Sequence, residues 1–126
     1  MKKIISTPNA PGAIGPYSQA VQANGMLFTS GQIAIDPATG ELVLDDIKTE
    51  TRQVMKNMKA VLNEAGVDFE NVVKTSIFLN SMDDFAEVNE VYESYFNGDY
   101  PARETVAVKT LPKNVNVEIS MIVSMS

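Results

Sequence analysis

Cysteine, histidine and tryptophan are all absent from this chain of 126 residues. The absence of cysteine excludes disulfides and thiol nucleophiles, and the absence of histidine excludes Ser-His-Asp and Cys-His catalytic arrangements. Zinc sites built on these two residue types are excluded as well. A metal site made only of carboxylates stays open, but no D-x-D or EF-hand spacing occurs. Any catalysis must therefore depend on Arg, Asp or Glu, Tyr, Ser or Thr, the backbone and water.

Basic residues are also few, since ten Lys and Arg stand against sixteen Asp and Glu for a net charge of −6. They are scattered along the sequence, so we expect no basic patch and no nucleic-acid binding. Long apolar runs are missing too. The basic start of the chain is followed by only two apolar residues, Ile4 and Ile5, which predicts neither a secretory signal nor a membrane span. We expect a soluble cytoplasmic protein that does not bind membranes.

The composition, 44% hydrophobic and without repeats or linkers, predicts a single domain over residues 1–126. Strands are expected at 3–6, 18–23 and 26–32, and the last two are joined by Asn24-Gly25, the strongest short hairpin signal. The intervening residues 7–16 are rich in proline and glycine and must form an irregular loop, of a length often found at binding sites.

Two amphipathic helices are expected in the second half of the chain. Helical spacing covers residues 48–65, where Asp45 or Asp46 can cap the start and Gly66 suits the left-handed end. A second helix opens after residues 81–84, which resemble a capping box, and ends at Asn97-Gly98. Its apolar face consists of Phe85, Val88, Val91, Tyr92, Tyr95 and Phe96. Further strands are predicted at 72–79, 105–109 and 115–124.

The order β-β-β-α-β-α-β-β predicts an α+β fold of two layers, with two helices on one face of a single sheet. The other face is too apolar to be left bare, because it includes Phe28, Ile33, Ile35 and Phe78. We therefore predict that other copies of the chain cover it. Met121 and Met125 in the last strand fit an adaptable interface, although methionine more often fills a core.

Two charged residues stand out as candidates for chemistry. Arg103 follows Tyr100-Pro101-Ala102 at the mouth of a predicted strand, and a guanidinium stays charged and fits a carboxylate with two parallel hydrogen bonds. Glu118 lies on the polar face of the last strand, where a carboxylate can act as a general base. By residue type alone, arginine and glutamate are more often solvated surface charges than functional groups. The residues themselves therefore leave open whether Arg103 and Glu118 are functional or are surface charges.

Six blocks resemble the RidA/YjgF/YER057c family in the family's order and spacing. They are PNAPGAIGPYSQA at 8–20, LFTSGQI at 27–33, DFAEVN at 84–89, YPAR at 100–103, LPK at 111–113 and VEI at 117–119. The resemblance implies a chorismate-mutase-like (YjgF-like) fold with one mixed sheet, assembled as a homotrimer with ligand sites between subunits. It also implies hydrolysis of 2-imino and enamino acids, which pyridoxal-phosphate-dependent Ser/Thr dehydratases release, to 2-keto acids and ammonia. No cofactor is implied.

The same resemblance assigns roles to seven residues. Arg103 matches the arginine that grips the substrate carboxylate, and Glu118 matches the glutamate that positions water or moves a proton, so both are predicted to be catalytic. Substrate binding is predicted for Arg103 together with Tyr17, Ser30, Gly31, Asn89 and Thr105. The family usually has cysteine at the position of Thr105, and this chain departs from the pattern there.

The leading hypothesis is therefore an imine deaminase whose partner is a small 2-imino or 2-keto acid. One alternative is a non-catalytic or regulatory trimer that binds a small carboxylate in the same cleft. Another is a structural trimer with a vestigial pocket. Ribonuclease activity, described for members of this fold family, is disfavoured by the net charge of −6.

Overall fold

The computed structural model describes residues 1–125, and its strands and helices follow the predicted order. The helices are α1 (Ile47–Glu64) and α2 (Phe85–Glu93). The strands are β1 (Lys3–Ile5), β2 (Ala20–Ala23), β3 (Met26–Thr29), β4 (Val72–Leu79), β5 (Ala102–Ala107) and β6 (Val117–Ser124). No helix of residues 1–125 is long and apolar enough to cross a membrane.

All six strands form one mixed sheet with the spatial order β1-β2-β3-β6-β4-β5. Every neighbouring pair is antiparallel except β4 and β5, which are parallel because α2 connects them as a crossover. The β2–β3 hairpin turns at Asn24 and Gly25, whose φ angles of 52° and 73° confirm the predicted turn.

Both helices pack on one face of the sheet and form the core with it. Buried and half-buried residues alternate along β6, so that Val117, Ile119, Met121 and Val123 face the helices. The stripe of α1 that meets them includes Val54, Met55, Met58, Val61 and Leu62, and α2 adds Val88 and Tyr92. The predicted two-layer α+β architecture is confirmed.

The first helix agrees with its sequence signals at both ends. The Asp46 carboxylate accepts a hydrogen bond from the Thr49 N–H at 2.8 Å, which identifies the cap among the two candidates. Gly66 follows the helix with a φ of 80°. A buried carboxylate, Glu50, ties the helix to the chain before β6 by accepting from the Asn116 N–H at 2.8 Å and the Asn116 side-chain amide at 2.7 Å.

The second helix begins directly after residues 81–84, as predicted, but the prediction is wrong about its cap and about its C-terminal end. Ser81 caps a separate 3-10 turn, Met82–Asp84, by accepting from the Asp83 N–H at 3.1 Å, and α2 begins after that turn without a side-chain cap. The helix ends at Glu93 rather than at Asn97-Gly98. The reason lies in Ser94, whose hydroxyl donates to the Val91 carbonyl at 2.6 Å while its N–H bonds to the same oxygen, which tightens the last turn.

Several strand ends also differ from the prediction. The largest difference is in β5, which begins at Ala102 rather than at Thr105 and ends at Ala107 rather than at Lys109. Its parallel pairing with β4 starts at Lys74↔Ala102, so Arg103 lies within the strand and not at its mouth. On the other side of the sheet, β3 ends at Thr29, and the chain returns to the sheet at a single bridge between Gln32 and Ile119. β1, β2 and β6 are one or two residues shorter than expected.

Candidate functional site

Arg103 lies on the helix-covered face of the sheet, beside the buried Thr75 of β4. Its Nη1 donates to Asn89 Oδ1 at 2.6 Å, and its guanidinium carbon is 5.6 Å from the ring centre of Phe85 and 5.2 Å from that of Tyr92. These three partners share one side of α2, because positions 85, 89 and 92 follow helical spacing. The helix thus orients the guanidinium by one hydrogen bond and two aromatic faces.

None of these partners neutralises the arginine. Within residues 1–125 Arg103 forms no salt bridge, and its side chain is exposed. It opens into a cleft of about 420 Å³, which we call the arginine cleft, lined also by Asn89, Tyr92, Glu93, Tyr100 and Pro101. The result is an exposed, oriented positive charge in a cleft, which is a suitable receptor for a carboxylate.

Tyr92, which the sequence indicated as a core residue only, also supports the arginine. It is buried, and its hydroxyl lies 2.8 Å from the Thr75 hydroxyl, so the ring cannot swing away from Arg103. Burial raises the pKa of the Tyr92 phenol, while the hydrogen bond with Thr75 and the charge of Arg103 act in the opposite direction. The spacing of three residues from Asn89 is the signal that would have indicated this role.

Thr105 shares the face of Arg103, because it pairs with the buried Ile77 two positions along β4. Its hydroxyl oxygen is buried and has no hydrogen-bond partner within residues 1–125. Such an oxygen is unusual, because buried polar atoms are nearly always paired. Thr105 is not among the residues that line the arginine cleft.

A second cleft, of about 480 Å³, lies on the open face of the sheet, and we call it the glutamate cleft. Four predicted site residues line it, namely Tyr17, Ser30, Gly31 and Glu118. Burial raises the pKa of the Glu118 carboxyl above its ordinary value of 4.5. The carboxylate lies directly against Gly31, so that a methyl group on this glycine would overlap it.

Two buried amide side chains hold the wall of the glutamate cleft. Asn57 of α1 donates to the carbonyls of Ile33 at 3.1 Å and Ile35 at 2.9 Å. Gln19 accepts from the Thr7 N–H at 2.7 Å and donates to the Pro11 carbonyl at 2.8 Å, which closes the first loop against β2. Sequence analysis missed both, because an amide in a loop or on a helix gives no signal of the distant carbonyls that it will meet.

Comparison with known proteins identifies the family of this chain. The sequence profile of the family described as Endoribonuclease L-PSP matches residues 7–125. This chain belongs to that family, the RidA/YjgF family. A RutC family protein of Pyrococcus horikoshii is 53% identical over 122 residues, 97% of each chain. The 2-iminobutanoate/2-iminopropanoate deaminase of Mus musculus is 48% identical over 97% of this chain and 90% of its own length.

The fold agrees with solved structures of the RidA/YjgF family. The crystal structure of E. coli TdcF with bound serine has a TM-score of 0.94 to this chain at 43% identity, and the match covers 98% of this chain and 99% of TdcF. The YjgF-like fold that the resemblance implied is therefore confirmed.

The RidA/YjgF residues predicted for the site fall into separate groups within one copy of the chain. Arg103 and Asn89 meet in the arginine cleft, and Thr105 lies on the same sheet face. The four residues of the glutamate cleft lie together on the opposite face. One copy of the chain therefore does not combine the two predicted catalytic residues in one cleft.

Proposed function

We propose that this protein hydrolyses small 2-imino acids and their enamine tautomers to 2-keto acids and ammonia. The observation that carries the proposal is the guanidinium of Arg103. Asn89, Phe85 and Tyr92 of α2 orient it, and within residues 1–125 it forms no salt bridge. A 2-imino acid supplies that partner, and a pair of parallel hydrogen bonds fixes the C2 atom relative to the cleft.

Glu118 is the general base in this mechanism. A carboxyl whose pKa is raised by burial accepts a proton more readily near neutral pH than an ordinary glutamate. Glu118 takes a proton from water as the water oxygen bonds to C2, and the C=N bond becomes a C–N bond. Glu118 returns this proton to nitrogen, which gives the neutral carbinolamine. The hydroxyl proton then moves to nitrogen as the C=O bond forms and the C–N bond breaks, and ammonia leaves. The sum is imine plus water giving ketone plus ammonia, which needs neither a redox partner nor a covalent nucleophile.

The arginine cleft of one copy and the glutamate cleft of another would together form one site. A homotrimer with sites between subunits accounts for the separation of Arg103 and Glu118 in one copy. The exposed apolar side chains of the open face support such an assembly, since Ile4, Phe28 and Val106 are 51%, 46% and 47% exposed. The deaminase name of the 48% identical mouse relative supports the activity.

The rival function is binding of a small carboxylate without turnover, as a sensor or regulator. The bound serine of TdcF favours it, because serine is an amino acid and not an imine. A sensor would use the same arginine as its carboxylate receptor, but Glu118 would have no chemical role in it.

A coupled assay distinguishes these functions. Threonine dehydratase would generate 2-iminobutanoate under conditions in which the imine is long-lived, and 2-ketobutyrate formation would be followed with wild type, Arg103→Lys and Arg103→Gln. We expect acceleration by wild type and a loss of roughly tenfold or more in both variants, because charge-assisted hydrogen bonds contribute about 1.5–3 kcal/mol. Binding of 2-ketobutyrate without acceleration would favour the sensor. Equal acceleration by Arg103→Gln would contradict the proposal.

A further inference from the structure

A row of cations runs along the outer surface of α1. Lys48, Arg52, Lys56 and Lys59 recur at helical spacing on the side opposite to the buried stripe. They are four of the ten basic residues of the chain. The expectation that the basic residues are scattered is therefore wrong for this helix, because the winding of α1 brings together residues that are separated along the sequence.

Two clefts flank this row. The first, of about 320 Å³, is lined by Arg52, Lys56 and Lys59 together with Val43, Thr49, Gln53 and Tyr95. The second, of about 390 Å³, is lined by Lys56 and Lys59 together with Thr7, Asn9, Ala60, Asn63 and Glu64. Neither cleft shares a lining residue with the arginine cleft or the glutamate cleft.

The positive charge of the first cleft is poorly compensated. Among residues 1–125 no carboxylate lines it, although the chain has sixteen acidic residues. Within residues 1–125, Arg52 and Lys56 form no salt bridge, and Lys59 reaches only Asp68, at 3.8 Å between two exposed side chains. The carboxylate of Asp46 acts on Arg52 through space rather than through a contact.

The N-terminal end of the row differs from the rest. Lys48 binds the Glu90 carboxylate at 2.8 Å, and this contact raises the pKa of the Lys48 ammonium. Within residues 1–125, Arg52 and Lys56 are thus the members of the row without a salt bridge, and Lys59 has only its long contact with Asp68. Like charges three and four residues apart on a helix repel one another, and a bound anion removes that repulsion.

We propose that this first cleft, the α1 cation cleft, binds a small phosphate-bearing ligand. The planar fork of Arg52 matches two phosphate oxygens, and the ammonium groups of Lys56 and Lys59 supply point charges on the same side. The ring of Tyr95 and the side chain of Val43 form an apolar wall for the remainder of the ligand. The proposal does not depend on the proposed imine chemistry.

Pyrophosphate is the probe for the test. Amide NMR shifts of the intact protein would be followed during a pyrophosphate titration at low salt, because surface attraction is screened over about 10 Å at 0.1 M. The variants are Arg52→Gln/Lys56→Gln and a control of equal charge change, Lys2→Gln/Lys3→Gln. Glutamine keeps the helix propensity of the residues that it replaces. We expect saturable shifts around α1 that weaken at least tenfold in the first variant and less than twofold in the control.

Four outcomes would overturn the proposal. The first is the absence of saturable shifts around α1. The second is equal weakening in both double variants, which would make the effect one of net charge alone. The third is a set of shifts confined to the arginine cleft and abolished by Arg103→Gln. Single-stranded RNA that occupies the α1 cation cleft at least tenfold more tightly than pyrophosphate would reassign it as a nucleic-acid surface.

Discussion

Arg103 and Glu118 lie on opposite faces of one β-sheet. Arg103 pairs with Thr75 of β4, and its side chain faces the helices. Glu118 pairs with Phe78, three residues further along β4, and its side chain faces away from the helices. Because side chains alternate across a strand, no change of rotamer brings the two into one cleft of one copy. If both act on one substrate, they must belong to different copies of the chain.

Mixing two inactive variants tests this arrangement. Arg103→Gln and Glu118→Gln chains, each expected to be inactive alone, would be co-expressed with different tags, and the mixed oligomer would be isolated and assayed for imine hydrolysis. In a mixed trimer of either composition, one of the three interfaces joins an intact Arg103 to an intact Glu118, so about a third of the activity returns. A double variant mixed with wild type provides the reference. No recovery in a verified mixed oligomer would contradict the shared site.

Gly31 and Gly12 offer a matched pair of substitutions in the glutamate cleft. Both line this cleft, but a methyl group on Gly31 would overlap the Glu118 carboxylate, whereas one on Gly12 would meet nothing within 4 Å. We expect Gly31→Ala to displace the carboxylate and lower kcat at least tenfold, and Gly12→Ala to change it less than twofold. Steady-state kinetics with thermal unfolding as a fold check would measure this. Equal kcat values for the two variants would mean that the position of Glu118 does not matter.

The raised pKa of Glu118 predicts the direction of a pH effect on stability. The folded protein holds this proton to higher pH than the unfolded chain, so Glu118 favours folding below its unfolded pKa, and this contribution is lost as the pH rises through the folded pKa. Glu118→Gln removes the titration. We therefore expect the free energy of unfolding of the variant to increase relative to that of wild type as the pH rises above about 4. Urea unfolding at several pH values measures it, and a pH-independent difference would contradict the assignment.

Much of this fold was predictable because its signals are local. The Asn24-Gly25 turn, the long stripe of α1 and the alternation of β6 each depend on neighbours within a few residues, and each prediction is confirmed. The start of β5 was not predictable in the same way. It is set by pairing with Lys74 of β4, and the sequence around Ala102 does not contain that partner.

The candidate site shows the same limit. The family blocks identified Arg103 and Asn89, which the structure brings together. They did not indicate that Tyr92 serves both the core and the arginine, or that Asn57 reaches carbonyls more than twenty positions earlier. Contacts of this kind arise from the packing of elements against one another, and residue types alone do not specify them.

Asn57 is expected to be a major contributor to stability. Asn57→Asp keeps the shape of the side chain but replaces both N–H donors, so the buried residue can no longer satisfy the carbonyls of Ile33 and Ile35. We expect a loss of about 2–4 kcal/mol in the free energy of unfolding, from two unsatisfied buried acceptors. Asn63→Asp, at an exposed position of the same helix, is the control and should cost less than about 1 kcal/mol. Similar losses in urea unfolding would disprove the special role of Asn57.

The hydroxyl pair of Thr75 and Tyr92 predicts a coupling energy. Both side chains are buried and their oxygens are 2.8 Å apart, so Thr75→Val or Tyr92→Phe leaves one hydroxyl without its partner. Each single change should cost about 1–3 kcal/mol, and the double change should cost less than the sum by about 1 kcal/mol. A double-mutant cycle in urea measures this coupling. Strict additivity would indicate that the hydrogen bond contributes nothing beyond the packing of its members.

The central place of β6 in the sheet has a consequence for biosynthesis. Among the strands β6 is the last in chain order, yet it joins β3 on one side to β4 on the other. Before residues 117–124 are synthesised, the strands can form only two separate parts of the sheet, β1-β2-β3 and β4-β5. The edges of β3 and β4 that β6 will pair with are then unpaired, and such edges can pair with strands of other chains. The sheet can close only after β6 leaves the ribosome, and chains truncated before β6 expose both of these edges to aggregation.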